Sequence, residues 1–335
     1  MRIAVLAPAA WRTPPRKYGP WEQVASNTAE GLVKKGMKVT LFASGDSLTD
    51  GELQFICEKP YSENPDMDPK VWECLHISHL MEQADRFDLI HNHYDFLPLT
   101  YSRLIKPPMI TTIHGFSSAR ILPVYRKYNS SSYYVSISNS DRSPELDYIA
   151  TVYNGIRTNE FSFQPDHNDY LLFLGRIHHE KGTYESIQIA KESGMRLIIA
   201  GLIQDQDYFN EKVKPFINDE DIIFVGNLGP EERNSMLGKA YALLHPVNFE
   251  EPFGLSVAEA MYCGTPVVAF KRGSMPELIN QGKTGFLVNN INEAIEVLIE
   301  IKNLDRSFCH HWAAERFTME KMVEDYMMVY NRVLS

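Results

Sequence analysis

Short apolar runs separated by longer amphipathic stretches recur along the whole chain. In the first half the runs are Arg2–Ala7, Lys38–Ala43, Asp88–His91, Met109–His114, Tyr133–Ser138 and Tyr148–Tyr153. Such runs, alternating with helical periodicity, predict parallel strands covered by helices. After the first run, Trp21, Val24, Ala25, Thr28 and Leu32 fall three or four apart, on one face of a helix that should end at Gly36. A polar segment, Arg157–Asp169, interrupts the pattern. The alternation restarts with Tyr170–Leu174, Arg196–Ala200, Ile222–Val225, Ala242–Leu244, Pro266–Phe270 and Gly285–Val288.

Two such series predict an α/β protein of two doubly wound, Rossmann-like domains. Ligands of these sheets bind outside the carboxyl ends of the strands, so two domains are expected to share a cleft. The expected domains are residues 1–157 and 158–317, followed by a final helix over 318–335. That helix carries Met319, Met322, Val323, Tyr326, Tyr330, Val333 and Leu334 as an apolar stripe, expected to pack back on the first domain.

Composition narrows the setting. No stretch approaches the ~20 apolar residues of a membrane-spanning helix, and MRIAVLAPAA reads as a first strand rather than a signal peptide. Cys57, Cys74, Cys263 and Cys309 are scattered, which fits a reducing cytoplasm better than a disulfide framework. The formal net charge of −10 disfavours a nucleic-acid partner. Almost all of it lies beyond Glu160, whereas Arg103–Arg142 is locally basic, a solvated face or at most a peripheral contact with an anionic surface.

Several chemistries are set aside. A dinucleotide dehydrogenase needs G-x-G-x-x-G after the first strand, and none is present. His91-Asn92-His93 has metal-like spacing on a strand, but no acid or thiol cluster accompanies it. The pairs Asp66/Asp68 and Asp205/Asp207 follow no clear strand, and His178-His179 and His310-His311 read as solvated surface.

Three segments carry the candidate chemistry. Gly175–Gly182 follows a strand and places Arg176 and Lys181 at the mouth of the sheet, where a guanidinium and an ammonium grip phosphate oxygens. Glu250–Ala260 brings Gly254 to the start of a helix whose N–H groups favour phosphate, with Glu251 just before it and Glu259 inside it. Carboxylates there can accept hydrogen bonds from sugar hydroxyls, although a helix-dipole partner (Glu251) and a solvated helix residue (Glu259) remain open readings. His114 ends the run Met109–His114. Cations and a helix N-terminus suit a diphosphate, carboxylates suit hydroxyls, and a nucleotide sugar presents both.

These residues resemble glycosyltransferase family 4, the retaining enzymes of GT-B fold. The likeness extends from Arg2–Ala7 through Tyr18-Gly19, Gly31–Ser44, His114, Val152–Ile156 and Gly175–Gly182 to Glu250–Val268 and Thr284–Val288. Glu251 to Glu259 matches the family's E-x7-E signature. The resemblance implies that Arg176 and Lys181 hold the donor diphosphate, Glu251 the transferred sugar and Glu259 the ribose. Backbone groups of Phe253, Gly254, Leu255 and Ser256 would face sugar or diphosphate, and Gly19 would bring the first loop close to donor and acceptor. His114 would sit near the transferred sugar. Glu251, His114, Arg176 and Lys181 are then the catalytic set, with no metal and no cofactor beyond the nucleotide-sugar co-substrate. The acceptor would be a glycan, a lipid-linked sugar or a small molecule.

Two positions depart from the family. Gly19 is followed by Pro20 and Trp21 instead of a second glycine, and proline offers no N–H. Trp21 is therefore a candidate acceptor-stacking residue, with Glu22 beside it, against the simpler reading that Trp21 covers the helix face with Val24 and Ala25. Arg157 stands where an aspartate is common. The alternatives are a non-catalytic nucleotide-sugar-binding or partner subunit on the same fold, or a GT-B nucleotide-sugar epimerase.

Overall fold

Every apolar run picked out above forms a strand. The computed structural model describes residues 1–115 and 119–335, and the chain divides into two units, Met1–Gly155 with Met319–Ser335, and Ile156–Thr318. The first unit holds β1 (Arg2–Leu6), β2 (Lys38–Phe42), β3 (Glu52–Gln54), β4 (Leu89–Asn92), β5 (Met109–Ile113), β6 (Tyr133–Ser136) and β7 (Tyr148–Thr151). They pair in parallel in the order β3-β2-β1-β4-β5-β6-β7. β3 was not predicted. It is a three-residue edge strand, exposed or half-buried, with no apolar run to announce it.

The second unit holds β8 (Tyr170–Leu174), β9 (Arg196–Ala200), β10 (Ile222–Gly226), β11 (Ala242–His245), β12 (Val267–Phe270) and β13 (Gly285–Val288). Their order is β10-β9-β8-β11-β12-β13, again parallel throughout. Strands buried on both faces read as continuous apolar runs, which is why these were visible in the sequence. Leu6, Phe42, Leu80, Ile90 and Tyr134 anchor the first core, and Leu171, Phe173, Ile199, Leu244 and Val268 the second.

In each sheet the strand order reverses once, at β1/β4 and at β8/β11. The loops leaving the carboxyl ends of those strands are where an open α/β sheet binds ligands. They carry Gly19, Gly175–Gly182 and Glu250–Ala260, while His114 follows the neighbouring β5.

The first helix spans Pro20–Lys34, with proline in its first turn and Val24, Ala25, Thr28 and Leu32 buried. The C-terminal helix, Met319–Leu334, lies against it within the first unit. Gly31 makes this approach possible, since a Cβ there would stand 2.3 Å from Val323 Cγ2. Met319, Met322, Val323, Tyr326 and Tyr330 are buried as the stripe predicts; the stripe fails at its end, where Leu334 is exposed. All four cysteines are free. No helix among the described residues is long and apolar enough to cross a membrane.

Candidate functional site

In the second unit the predicted segments meet at the ends of β8 and β11. Gly175–Gly182 leaves β8, and Lys181 Nζ lies 2.5 Å from Glu251 Oε2 on the loop that leaves β11. The ammonium also sits 4.5 Å over the Phe249 ring. His245, the last residue of β11, brings Nε2 to 3.5 Å from the same Glu251 oxygen. Burial alone would push the Glu251 carboxyl up. Lys181 and His245 outweigh it and hold the acid down to about 2, so Glu251 is a carboxylate at neutral pH. Its other oxygen, Oε1, has no partner among the described residues. Arg176 donates from Nη1 to Gln204 Oε1 and is half-buried.

A second layer fixes Glu251. Ser274 N–H donates to its carbonyl at 2.9 Å, Ser274 Oγ–H to the Phe253 carbonyl at 2.7 Å, and Gly273 N–H to Glu250 Oε2 at 2.5 Å. Gly273 passes so close that a Cβ would stand 2.3 Å from the Glu251 carbonyl oxygen, at a φ of +54°. Gly273, Ser274 and His245 were missed in the sequence because no motif joins them to Glu251 until the strands are laid side by side. Phe253 contributes backbone only, since its ring is core and packs edge-on against Phe317.

Gly254 starts the helix Leu255–Tyr262 from φ +88°. No carbonyl takes the N–H of Leu255 or Ser256 among the described residues, which leaves these first-turn donors open. Glu259 is buried, 6% exposed, so it is not a solvated helix residue. Arg233 Nε lies 3.7 Å from its Oε2, and Arg233 Nη2 lies 3.4 Å from Glu160. Burial raises the Glu259 carboxyl, Arg233 opposes that, and Glu160 adds to it.

The first-unit set is built differently. His114 follows β5, and Trp21 stacks on it with ring centroids 5.7 Å apart and planes 22° apart. Trp21 is thus tied to His114, while Val24 and Ala25 behind it on the helix are buried. Gly19 caps the first helix at φ +153°, and a Cβ there would meet Pro15 Cβ at 2.8 Å. Glu22 is 3% exposed and accepts the Trp11 N–H at 3.2 Å. Burial pushes its carboxyl up to about 7, partly offset by backbone hydrogen bonds.

His91 and His93 share a face, as strand alternation predicts, with centroids 4.0 Å apart. His91 Nδ1 pairs with Tyr330 Oη at 2.6 Å and Nε2 with Thr112 Oγ1 at 2.8 Å, so it has no lone pair left for a metal. His93 Nδ1 is 3.0 Å from His114 Nε2. Burial holds all three imidazoles low: His91 and His114 at about 3, His93 well below the usual range.

One acid of each pair is a helix cap. Asp68 accepts the Lys70 N–H and Asp205 the Tyr208 N–H. Asp205 also lies beside the doublet His178-His179. These three are the one set of converging ligand groups among the described residues, their atoms within 4.8 Å of one another, and could hold a cation on the exposed side of the loop. His310 is no surface residue: it is half-buried, pairs with the Tyr262 carbonyl and packs on Phe163.

Comparison with known proteins shows the family and the fold. The family models described as glycosyl transferases group 1 and as Glycosyltransferase Family 4 match residues 157–315 and 21–160. An uncharacterised glycosyltransferase of Methanocaldococcus jannaschii is 25% identical over 86% of this chain and 85% of its own. A glycogen synthase of Mycobacterium tuberculosis is 25% identical over 85% of this chain and 81% of its own. Among solved structures, AviGT4, a glycosyltransferase involved in avilamycin A biosynthesis, superposes with a TM-score of 0.77 at 21% identity, covering 100% of this chain and 98% of that one. Anabaena HepE in complex with UDP-glucose gives 0.73 at 18% identity, covering 99% and 100%. With the E-x7-E carboxylates and the Arg176/Lys181 loop at the switch point of a parallel sheet, the chain belongs to glycosyltransferase family 4 and is a glycosyltransferase of GT-B type.

Proposed function

We propose that the protein is a retaining, metal-independent hexosyltransferase that moves a sugar from a UDP- or GDP-linked hexose to a hydroxyl acceptor, forming an α-glycosidic bond. The observation that carries this reading is the Lys181–Glu251 pair at 2.5 Å beside the open N–H groups of Leu255 and Ser256. The ammonium keeps Glu251 ionised, and the free Oε1 accepts hydroxyls of the hexose. Arg176, Lys181 and the helix N-terminus take the diphosphate. Charge grows on the leaving diphosphate as the bond from its oxygen to the anomeric carbon breaks. Fixed donors there lower the barrier. The acceptor oxygen bonds to the same face of the sugar and passes its proton to the departing phosphate oxygen, which requires no metal. Glu259 holds the ribose. In the first unit, His114 and Trp21 take a sugar, with Gly19 and Glu22 beside them. The UDP-glucose bound by HepE supports the donor class for this chain. The free cysteines fit a cytoplasmic enzyme.

The test is transfer by Glu251→Ala and Lys181→Ala. Both should lose most activity with donor still intact; full activity in both overturns the site assignment. Conversion of the donor to an isomer without acceptor would make the protein an epimerase instead.

A further inference from the structure

The imidazole cluster of the first unit contains one group whose job the transfer reading leaves undefined. His91 is saturated by Tyr330 and Thr112. His93 is not. It is fully buried, its Nδ1 faces His114 Nε2 at 3.0 Å, and its Nε2 has no hydrogen-bond partner among the described residues.

We propose that His93 is a positioning residue that fixes the tautomer of His114, so that the Nδ1 edge of His114 is a hydrogen-bond donor to a sugar oxygen. This rests on the reading of His114 as a sugar-binding group.

Both rings are neutral, because burial disfavours the imidazolium in each. A single proton therefore serves the 3.0 Å contact, and two arrangements are available. If His114 Nε2–H donates to His93 Nδ1, the proton of neutral His93 must sit on its Nε2. That strands a buried N–H with no acceptor, and orphaned buried N–H groups are rarer than under-used acceptors. If His93 Nδ1–H donates to His114 Nε2, only a lone pair on His93 is left over. The second arrangement is the cheaper one. Neutral His114 then carries its proton on Nδ1.

That nitrogen has no partner among the described residues, and His114 keeps 9% of its surface exposed where His93 keeps none. The Trp21 ring, stacked at 22°, holds the plane of the imidazole and so the direction of the donor. A sugar hydroxyl can accept from it. An ionic group is not needed there, and an imidazole held at about 3 does not supply one.

Long-range 1H–15N NMR of the imidazoles in the intact protein tests this directly, with His114 assigned by its loss in His114→Gln. The expected result is a protonated Nδ1 and a bare Nε2 on His114. A protonated Nε2 overturns the proposal, whatever any variant does. In His93→Leu, which cannot donate, His114 should shift toward the Nε2–H form. UDP-glucose turnover should then fall about 10- to 100-fold, less than removal of a whole donor. His93→Asn, whose amide can donate in place of Nδ1–H, should recover most of both. An unchanged tautomer and unchanged turnover in His93→Leu overturn the positioning role. If the tautomer is as expected but His114→Gln keeps full turnover, the lock stands and the sugar-binding reading of His114 fails.

Discussion

The two units use one plan and opposite chemistry. Each places its polar groups at or next to the point where the order of a parallel sheet reverses, β1/β4 in the first and β8/β11 in the second. In the second unit the groups are ions: Arg176, the Lys181–Glu251 pair, and Glu259 beside Arg233. In the first they are neutral: His91, His93 and His114, kept uncharged by burial and wired to Thr112, Tyr326 and Tyr330. The difference teaches that the switch point is a position, and that its occupants set which part of a ligand it suits. A diphosphate needs fixed positive charge, while sugar hydroxyls need aimed, uncharged donors and acceptors.

The sharpest way to break this contrast is to remove the charge. Lys181→Ala should cost about 10²–10³ in turnover. It also leaves the Glu251 carboxylate buried without its partner, and destabilisation of about 3–5 kcal/mol is expected on thermal or denaturant melts. The double variant Lys181→Met, Glu251→Gln should melt close to the wild type yet stay inactive, which separates the fold from the chemistry.

Acid titration sharpens the contrast without mutation. His76 at about 4, His91 and His114 at about 3, and His93 well below its usual range, are bases depressed from 6.5, so the unfolded chain binds the extra protons as pH falls below 6.5. The first unit should therefore lose stability progressively between pH 6.5 and about 3. Glu22, raised from 4.5 to about 7, and Asp95, raised from 3.8 to about 6, oppose this within those ranges, but the four histidines outnumber them. Glu251, an acid depressed from 4.5 to about 2, stabilises the second unit above pH 4.5 and loses that contribution only on the way down to 2. Hydrogen exchange by mass spectrometry should accordingly see the first unit loosen at higher pH than the second.

Packing within the first unit gives a smaller effect. Gly31→Ala drives a methyl into Val323, 2.3 Å away, and should cost about 1–3 kcal/mol. Val323→Ala in the same chain should recover part of it. Smallest of all, Trp21→Ala removes a stack worth about 0.5–1.5 kcal/mol beyond its buried area. It should loosen His114 and lower turnover by about tenfold or less, with no change in nucleotide affinity.

Much of this was legible in the sequence, for physical reasons. Strands buried on both faces betray themselves as apolar runs, and Arg176, Lys181, Glu251 and Glu259 sit in two local motifs directly after such runs. What was not legible needed the third dimension. His245 reaches Glu251 only because it ends the strand before that loop, and Arg233 reaches Glu259 from another helix. The stacking of Trp21 on His114 joins residues far apart in the chain. The edge strand β3 has no apolar run to reveal it, and Asp68 and Asp205 imitate a metal motif because helix caps use the same residue.

The central claim is that the second unit binds the diphosphate of a nucleotide sugar through its own cations. Thermal melts with UDP, GDP, ADP and dTDP, and then with the matching sugar nucleotides, all in EDTA, test it most directly for the wild type and for Lys181→Ala. The account predicts that one nucleotide stabilises the wild type in EDTA, by about 2.7 kcal/mol at a hundred times its dissociation constant, and that Lys181→Ala loses most of that shift. No shift with any nucleotide at millimolar concentration, or an equal shift in Lys181→Ala, would contradict it.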